Sequence, residues 1–401
     1  MKLNRWTAAL AAAGIVTVPS LLHAQTNTIL TALSSTTLSG YVDTSAQWNM
    51  GTGNANNPPY AFGGPTKADG FNLNVVDIAL DKPMDEGQWS AGYHVDLWFG
   101  PDANSLGTQS TTAAGAGDLA IRQAYVTLRT PIGNGIDWKL GVFDTIIGYE
   151  SFSSPNNPNY SHSYGFSIEP GQHTGLLATY QATSDLSISA GIANTATTSS
   201  INNRSRIESL KSYMASVTYT APTNWGWVSG STFTAGVVNG SSSNTGEGLP
   251  ANTQTSAYFG TTLATPLTAL KLGASIDYLD VHGAPGVFGG PPEAEDGTMW
   301  AWDLYASFQA TEKLTLNLRG EYLYVHSEAL DGNVDLSDIA GANRIEAITA
   351  TAQYDLWKNV LSRVEFRWDH IEKGPGFGGT TAGTPNRDNA YMLAANIIYK
   401  F

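Results

Sequence analysis

From residue 38 to its last residue the chain repeats one unit: about ten residues that alternate apolar with polar or small side chains, then a turn. The alternation is plainest in Trp300, Trp302, Leu304, Ala306 and Phe308, which share one face against Ala301, Asp303, Tyr305, Ser307 and Gln309. Leu270, Leu272, Ala274, Ile276 and Tyr278 likewise oppose Lys271, Gly273, Ser275 and Asp277, and Leu314, Leu316 and Leu318 oppose Thr315, Asn317 and Arg319. After residue 24 there is no run of about 18 apolar residues, so a membrane-crossing helix is excluded. If this chain crosses a bilayer, it does so as a closed barrel, the other form that satisfies its own backbone in lipid.

The spacing predicts strands at 38–48, 71–81, 89–99, 120–130, 136–147, 173–181, 186–194 and 211–220. It predicts eight more at 228–239, 253–264, 270–280, 299–310, 314–325, 344–354, 360–370 and 389–401, for an even total of sixteen. Short turns such as Lys82-Pro83, Pro131–Gly135 and Trp357-Lys358-Asn359 alternate throughout with long connections near 49–70, 100–119, 148–172, 195–210, 240–252, 281–298, 326–343 and 371–388. That alternation matches the short inner turns and long outer loops of outer-membrane barrels. Sixteen strands enclose an aqueous channel, whereas about eight would be filled by side chains.

Composition supports a lipid exterior. Charged residues are 13% of the chain, too few to coat a soluble fold of 401 residues. Aromatic residues of the apolar face gather at strand ends, as interfacial girdles do: Trp89, Phe99, Trp138, Tyr180, Trp300, Tyr354, Trp368, Tyr391 and Tyr399. The opposite face mixes Asp, Arg, Lys, Asn and Gly, as a water-filled lumen would. A formal charge of −14 argues against nucleic acid as a partner. With no cysteine, thiol and disulfide chemistry are absent.

The first 24 residues read as a secretory leader, with Lys2 and Arg5 before the apolar stretch Trp6–Leu22 and a cleavage site after Ala24. Residues 25–36 then form a short periplasmic segment before the barrel at 37–401. The last strand alternates Tyr391, Leu393, Ala395, Ile397, Tyr399 and Phe401, ending on the final residue. A terminal strand of this kind resembles the signal that the outer-membrane barrel assembly machinery reads.

Four stretches carry a family resemblance: Leu38–Asp43, Gln123–Val126, Gly141–Glu150, and Asn159–Ser163 running on to His173–Gly175. They resemble the β-barrel porin 2 family, described as OmpL-like, over the whole chain after the leader. The resemblance implies an outer-membrane porin of a Gram-negative-type bacterium, embedded in lipid and lipopolysaccharide. Passive diffusion of small hydrophilic solutes and ions is the expected function, and a homotrimer the expected assembly. By positional analogy with general porins, the third long loop, 148–172, is expected to fold inward and narrow the lumen. Glu150, His162 and Glu169 on that loop, with Arg319, Glu321, Arg363, Glu365 and Arg367 on the wall, are the candidate lining of the constriction.

Two readings of those wall charges compete. Arginines facing loop carboxylates would set a field across the opening. Alternatively, charges alternating in sign along a strand simply satisfy one another, and that reading is preferred. Asp331, Asn333 and Asp335 open like a calcium loop, but Leu336 and Ala342 replace the glycine and glutamate such a loop needs, so no metal site is expected. Glu293, Glu295 and Asp296 read as a solvated acidic loop. No hydrolase, metalloprotease or nucleotide motif appears, and no enzyme or cofactor is expected. Two other readings remain: a substrate-specific channel, which needs a continuous track of lumen aromatics or of arginines, and a plugged structural or adhesive barrel, for which only the third loop and residues 25–36 offer mass.

Overall fold

The structure, a computed structural model, describes residues 35–401 apart from 52, 107, 109–117, 198–200, 206–209, 242–252, 286–293 and 328–342. The leader at 1–24, the segment 25–34, Asp331, Asn333, Asp335 and Glu293 therefore lie outside the described residues.

Sixteen antiparallel strands close into one barrel, each paired with its neighbours in sequence and β1 with β16. They run β1 Thr37–Asn49, β2 Gly70–Lys82, β3 Ser90–Phe99, β4 Leu119–Thr130, β5 Ile136–Asp144, β6 Gln172–Gln181, β7 Leu186–Ala193 and β8 Ser212–Thr220. The other half is β9 Thr232–Ser241, β10 Thr253–Ala264, β11 Leu270–Pro285, β12 Ala294–Gln309, β13 Leu314–Ser327, β14 Asn343–Trp357, β15 Val360–Ile371 and β16 Asn389–Lys400. Reciprocal backbone bonds between Gly40 and Phe401, 3.1 and 3.0 Å, continue the closing seam to the last residue.

Side-chain alternation sets the two surfaces. On β13, Leu316 and Leu318 point outward, 44% and 52% exposed, while the intervening Asn317 and Arg319 are buried on the inner face. The terminal series Tyr391, Leu393, Ile397, Tyr399 and Phe401 also faces outward. An apolar belt of this extent has no stable place in water, whereas hydrocarbon needs no hydrogen bonds from it.

Several boundaries differ from those predicted. Strand β9 starts at Thr232 rather than 228, because Thr223–Val228 winds into a short 3-10 turn. Strand β5 ends at Asp144 rather than 147, and Ile147 turns inward to pack with Phe143, Leu177, Met214 and Val238. Strands β11 and β12 extend beyond 280 and before 299, with a register shift between Val281 and Ala284.

The inner face is not polar throughout. Towards the long-loop end, Met299, Ala301, Leu323, Val325, Ile345 and Met392 form a buried apolar cluster. Three loops supply the other half of that core: Tyr60 of loop 50–69, Tyr164 and Ile168 of loop 145–171, and Phe377 of loop 372–388. The expectation that only the third loop and residues 25–36 offer mass inside the barrel is thus corrected: loops 50–69 and 372–388 do so as well. Strands here are apolar on both faces because one faces the membrane and the other faces packed loops.

Candidate functional site

Loop 145–171 leaves β5 and crosses the lumen. Within it, the helix α1 (Tyr164–Ile168) is capped by Ser163, whose hydroxyl accepts from the Phe166 N–H at 3.1 Å. The loop touches the wall on opposite sides. The Tyr149 hydroxyl lies 3.2 Å from Thr262 Oγ1 on β10, and the Tyr160 hydroxyl lies 2.9 Å from Ser45 Oγ on β1.

Its hydrogen bonds cluster on β13 and β15. Arg319 donates to Glu321 at 2.7 Å, to Glu150 at 2.8 Å, and to the Ser161 and His162 carbonyls at 2.6 and 3.1 Å. Arg367 donates to both Asp369 oxygens at 3.0 and 3.1 Å and to the His162 carbonyl at 2.8 Å. Its guanidinium also stacks 4.1 Å from the Tyr60 ring centroid and 5.0 Å from that of Tyr164. Arg363 donates to the Ser154 carbonyl at 3.0 Å and the Asn157 carbonyl at 2.5 Å.

The wall carboxylates bind the loop in the opposite sense. Glu365 accepts the Tyr160 and Ser161 N–H groups at 2.5 and 2.9 Å, and Glu321 accepts the Tyr164 N–H at 2.8 Å. Asp369 accepts the Tyr164 hydroxyl at 2.6 Å. Glu150 additionally accepts from Ser163 N at 3.1 Å and pairs with His162 Nδ1 at 3.0 Å. Burial alone would push the Glu150 carboxyl up, but the Arg319 guanidinium, His162 and the Ser163 N–H hold it down to about 2.

Seven of the eight sequence candidates therefore meet in one lattice between loop and wall: Glu150, His162, Arg319, Glu321, Arg363, Glu365 and Arg367. Arg319 and Arg367 are wholly buried and Arg363 nearly so. Neither sequence reading describes this arrangement fully. The arginines do not face an open gap, and they are satisfied by the loop backbone as much as by neighbouring carboxylates.

Glu169, the eighth, sits on the other side of the loop against Asp277 of β11. Asp303 of β12 is adjacent, and no salt bridge reaches either aspartate among the described residues. Asp303 Oδ1 finds no hydrogen-bond donor among the described residues. Burial first, then the carboxylates Glu150 and Asp303, push Glu169 up to about 8, against the lowering contact of Asp277. Gly165 makes this packing feasible: a Cβ there would stand 2.3 Å from Asp303 Oδ2 and 2.7 Å from Asp277 Oδ2.

A second ionic centre escaped the sequence reading. Arg122 of β4 donates to Asp96 at 2.6 Å and to Asp144 at 2.5 Å, beneath Trp98 and Phe152. Strict alternation from Tyr125 would point Arg122 outward. A bulge opposite Asp96 and Leu97 skips it and turns it inward. The signal was present: Leu119 and Ile121 are outward apolar residues at odd positions, Val126 and Leu128 at even ones, so the phase must slip between them.

A cavity of about 610 Å³ lies between the loop and the β10–β14 wall, lined by Tyr149, Tyr305, Asn156, Asn317, Gln353 and Lys271 among others. The arrangement as a whole is a membrane-compatible ring with a narrowed polar interior.

Comparison with known proteins agrees with that geometry. A family model described as "Putative beta-barrel porin-2, OmpL-like" matches residues 35–401. No curated protein matches the chain by sequence. Among solved structures, OmpT of Vibrio cholerae in its trimer form aligns with a TM-score of 0.58 at 11% identity, covering 91% of this chain and 99% of that one. An anion-selective porin from Comamonas acidovorans aligns at 0.57 and 14% identity, covering 92% and 99%. OmpF of Salmonella typhi, in complex with daunomycin, aligns at 0.58 and 15% identity, covering 91% and 97%. At these identities the likeness concerns the fold.

Proposed function

The chain belongs to the β-barrel porin-2, OmpL-like family and is an outer-membrane porin channel, and from that premise we propose that it passes small hydrophilic solutes and ions by passive diffusion. The observation that carries this reading is the cross-lumen loop: a closed barrel, apolar outside, whose interior is narrowed but retains a polar cavity beside the loop. On this reading Glu150, His162, Arg319, Glu321, Arg363, Glu365 and Arg367 set the width of the passage by fixing the loop, and Glu169 holds its far side. Family and fold are those of a channel rather than an enzyme.

Residues 1–24 act as the leader that exports the chain in a Gram-negative-type bacterium, and residues 25–36 stay in the periplasm. The outward series Tyr391, Leu393, Ile397, Tyr399 and Phe401 serves as the signal for barrel assembly into lipid and lipopolysaccharide. The trimer form of the Vibrio cholerae relative supports a homotrimer here.

A second reading, a barrel plugged by its loops, is favoured by one observation. Loop 50–69 packs Phe62 on His162 and Phe166, and the Ala61 N–H donates to Ser167 Oγ at 2.9 Å. Single-channel conductance in a planar bilayer with a salt gradient separates the two. Steady ohmic steps support the diffusion channel. Folded, heat-modifiable protein without conductance would sink it and leave the plugged barrel.

A further inference from the structure

The cavity beside the cross-lumen loop differs chemically from the rest of the interior. The neighbouring polar regions of the inner face are dense in ion pairs and carboxylates; among the described residues lining this cavity, Lys271 is the one charged group. Its polar lining is otherwise amide and hydroxyl, including Asn156, Asn317, whose Nδ2 already donates to the Pro158 carbonyl at 2.8 Å and so offers its Oδ1, and Gln353, whose Oε1 accepts from Arg363 at 3.1 Å and so offers its Nε2. Amides and hydroxyls each offer both donor and acceptor, so they pair with ligands whose groups do the same. A solute anion would meet a single ammonium, and a solute cation no carboxylate.

The cavity also has a fixed aromatic wall. Tyr149 stacks on Tyr305 with centroids 4.2 Å apart and planes 20° from parallel. Tyr149 is pinned by its contact with Thr262 and lies over Gly273, where a Cβ would fall 1.9 Å from its hydroxyl. Replacing Gly273 would displace the ring, so the strand sequence leaves room for this one orientation. A rigid ring beside clustered amides suits a solute with an apolar C–H face and a rim of hydroxyls. The volume lies within the range of small-molecule sites.

We propose that this cavity is a binding subsite for neutral saccharides on the permeation path, with Tyr149 as the stacking platform and Asn156, Asn317 and Gln353 as hydroxyl partners. The inference rests on the channel reading above and adds a solute class to it. Maltose added to a planar bilayer holding the refolded protein should reduce ion current saturably, whereas glycerol at equal viscosity should reduce it only in proportion to viscosity. Tyr149→Ala should raise the half-saturating maltose concentration by about tenfold. Asn156→Ala, at an exposed loop position that does not threaten folding, should raise it by about threefold. A purely viscous decline, or a saturable block unmoved by both variants, overturns the proposal. Absence of any current without sugar would instead sink the channel reading. Calorimetric titration of maltose into detergent-solubilised protein then still decides the subsite, and no saturable heat overturns it.

Discussion

The two walls that hold the cross-lumen loop use opposite electrostatics. On β13–β15 buried charges of opposite sign meet: Arg319 lies between Glu150 and Glu321, and Arg367 between Glu321 and Asp369, while Arg363 and Glu365 are met by carbonyl and N–H groups of the loop. On β11–β12 the loop rests on Asp277 and Asp303 and brings a third carboxyl, Glu169, and among the described residues no salt bridge supplies the group with a cation. Buried ion pairs do not by themselves add much stability over apolar packing, but removing one partner is costly because the other remains buried and charged. Like charges brought together in a dry site must instead shed charge by keeping protons. The first wall is therefore a geometric clamp, specific to one loop conformation. The second is a contact whose strength depends on protonation.

Breaking the clamp should have the largest effect. Arg319→Ala leaves Glu150 with His162 and the Ser163 N–H, and Glu321 with the more distant Arg367 and the Tyr164 N–H, and should cost about 3–5 kcal/mol. Denaturant unfolding of the detergent-solubilised barrel would read the cost, and single-channel recording should show larger, noisier steps as the loop leaves the wall. Arg319→Lys should recover only part, since one ammonium cannot serve a carboxylate pair and two loop carbonyls at once. An unchanged conductance in Arg319→Ala would mean that the loop is held elsewhere.

Smaller perturbations separate the walls. Gly165→Ala presses a methyl onto Asp277 and Asp303 and should cost about 1–3 kcal/mol by overpacking. Combining it with Asp303→Ala, which vacates that space, should restore most of the loss. Tyr164→Phe removes the 2.6 Å bond to Asp369 while keeping the ring over Arg367. Its cost should be about 1–2 kcal/mol, limited because Arg367 still serves Asp369. If Tyr164→Phe proved costlier than Arg319→Ala, the clamp would lie in the hydroxyl rather than the guanidinium.

The sequence disclosed the barrel more completely than the site. Each strand has a single outward series, such as Leu314, Leu316 and Leu318, so period and turn spacing suffice to count sixteen. A bulge breaks that logic, and Arg122 was lost with it. The wall residues Arg319, Glu321, Arg363, Glu365 and Arg367 were legible because lumen charges on adjacent strands stand out against an apolar face. Their partners were not, since Ser154, Asn157, Ser161 and His162 contribute backbone carbonyls, and a carbonyl's direction is set by the loop path rather than by residue type. The inward packing of loops 50–69 and 372–388 was hidden for a similar reason. Tyr60 and Phe377 become core only through Met299, Leu323 and Ile345 on strands more than 200 residues away from Tyr60.

The smallest expected effect, and the one that tests the contrast most directly, is pH. Glu150 is held at about 2, below its ordinary 4.5, so its contribution is present above 4.5 and is lost as pH falls towards 2. Glu169 is raised to about 8, so its contribution is complete below 4.5 and is lost as pH rises through 8. The clamp should thus hold at alkaline pH while the opposite contact weakens. Hydrogen exchange of loop amides would resolve this. Above pH 8, after correction for intrinsic exchange, protection should fall first beside Glu169, while the Ser161 and Tyr164 amides on Glu365 and Glu321 stay protected. Glu169→Gln removes the ionisation and should flatten the alkaline limb without altering the acid one. Loss of protection at both sides together would mean that the loop moves as one rigid piece, and that the two walls, however different in charge, are not independent holds.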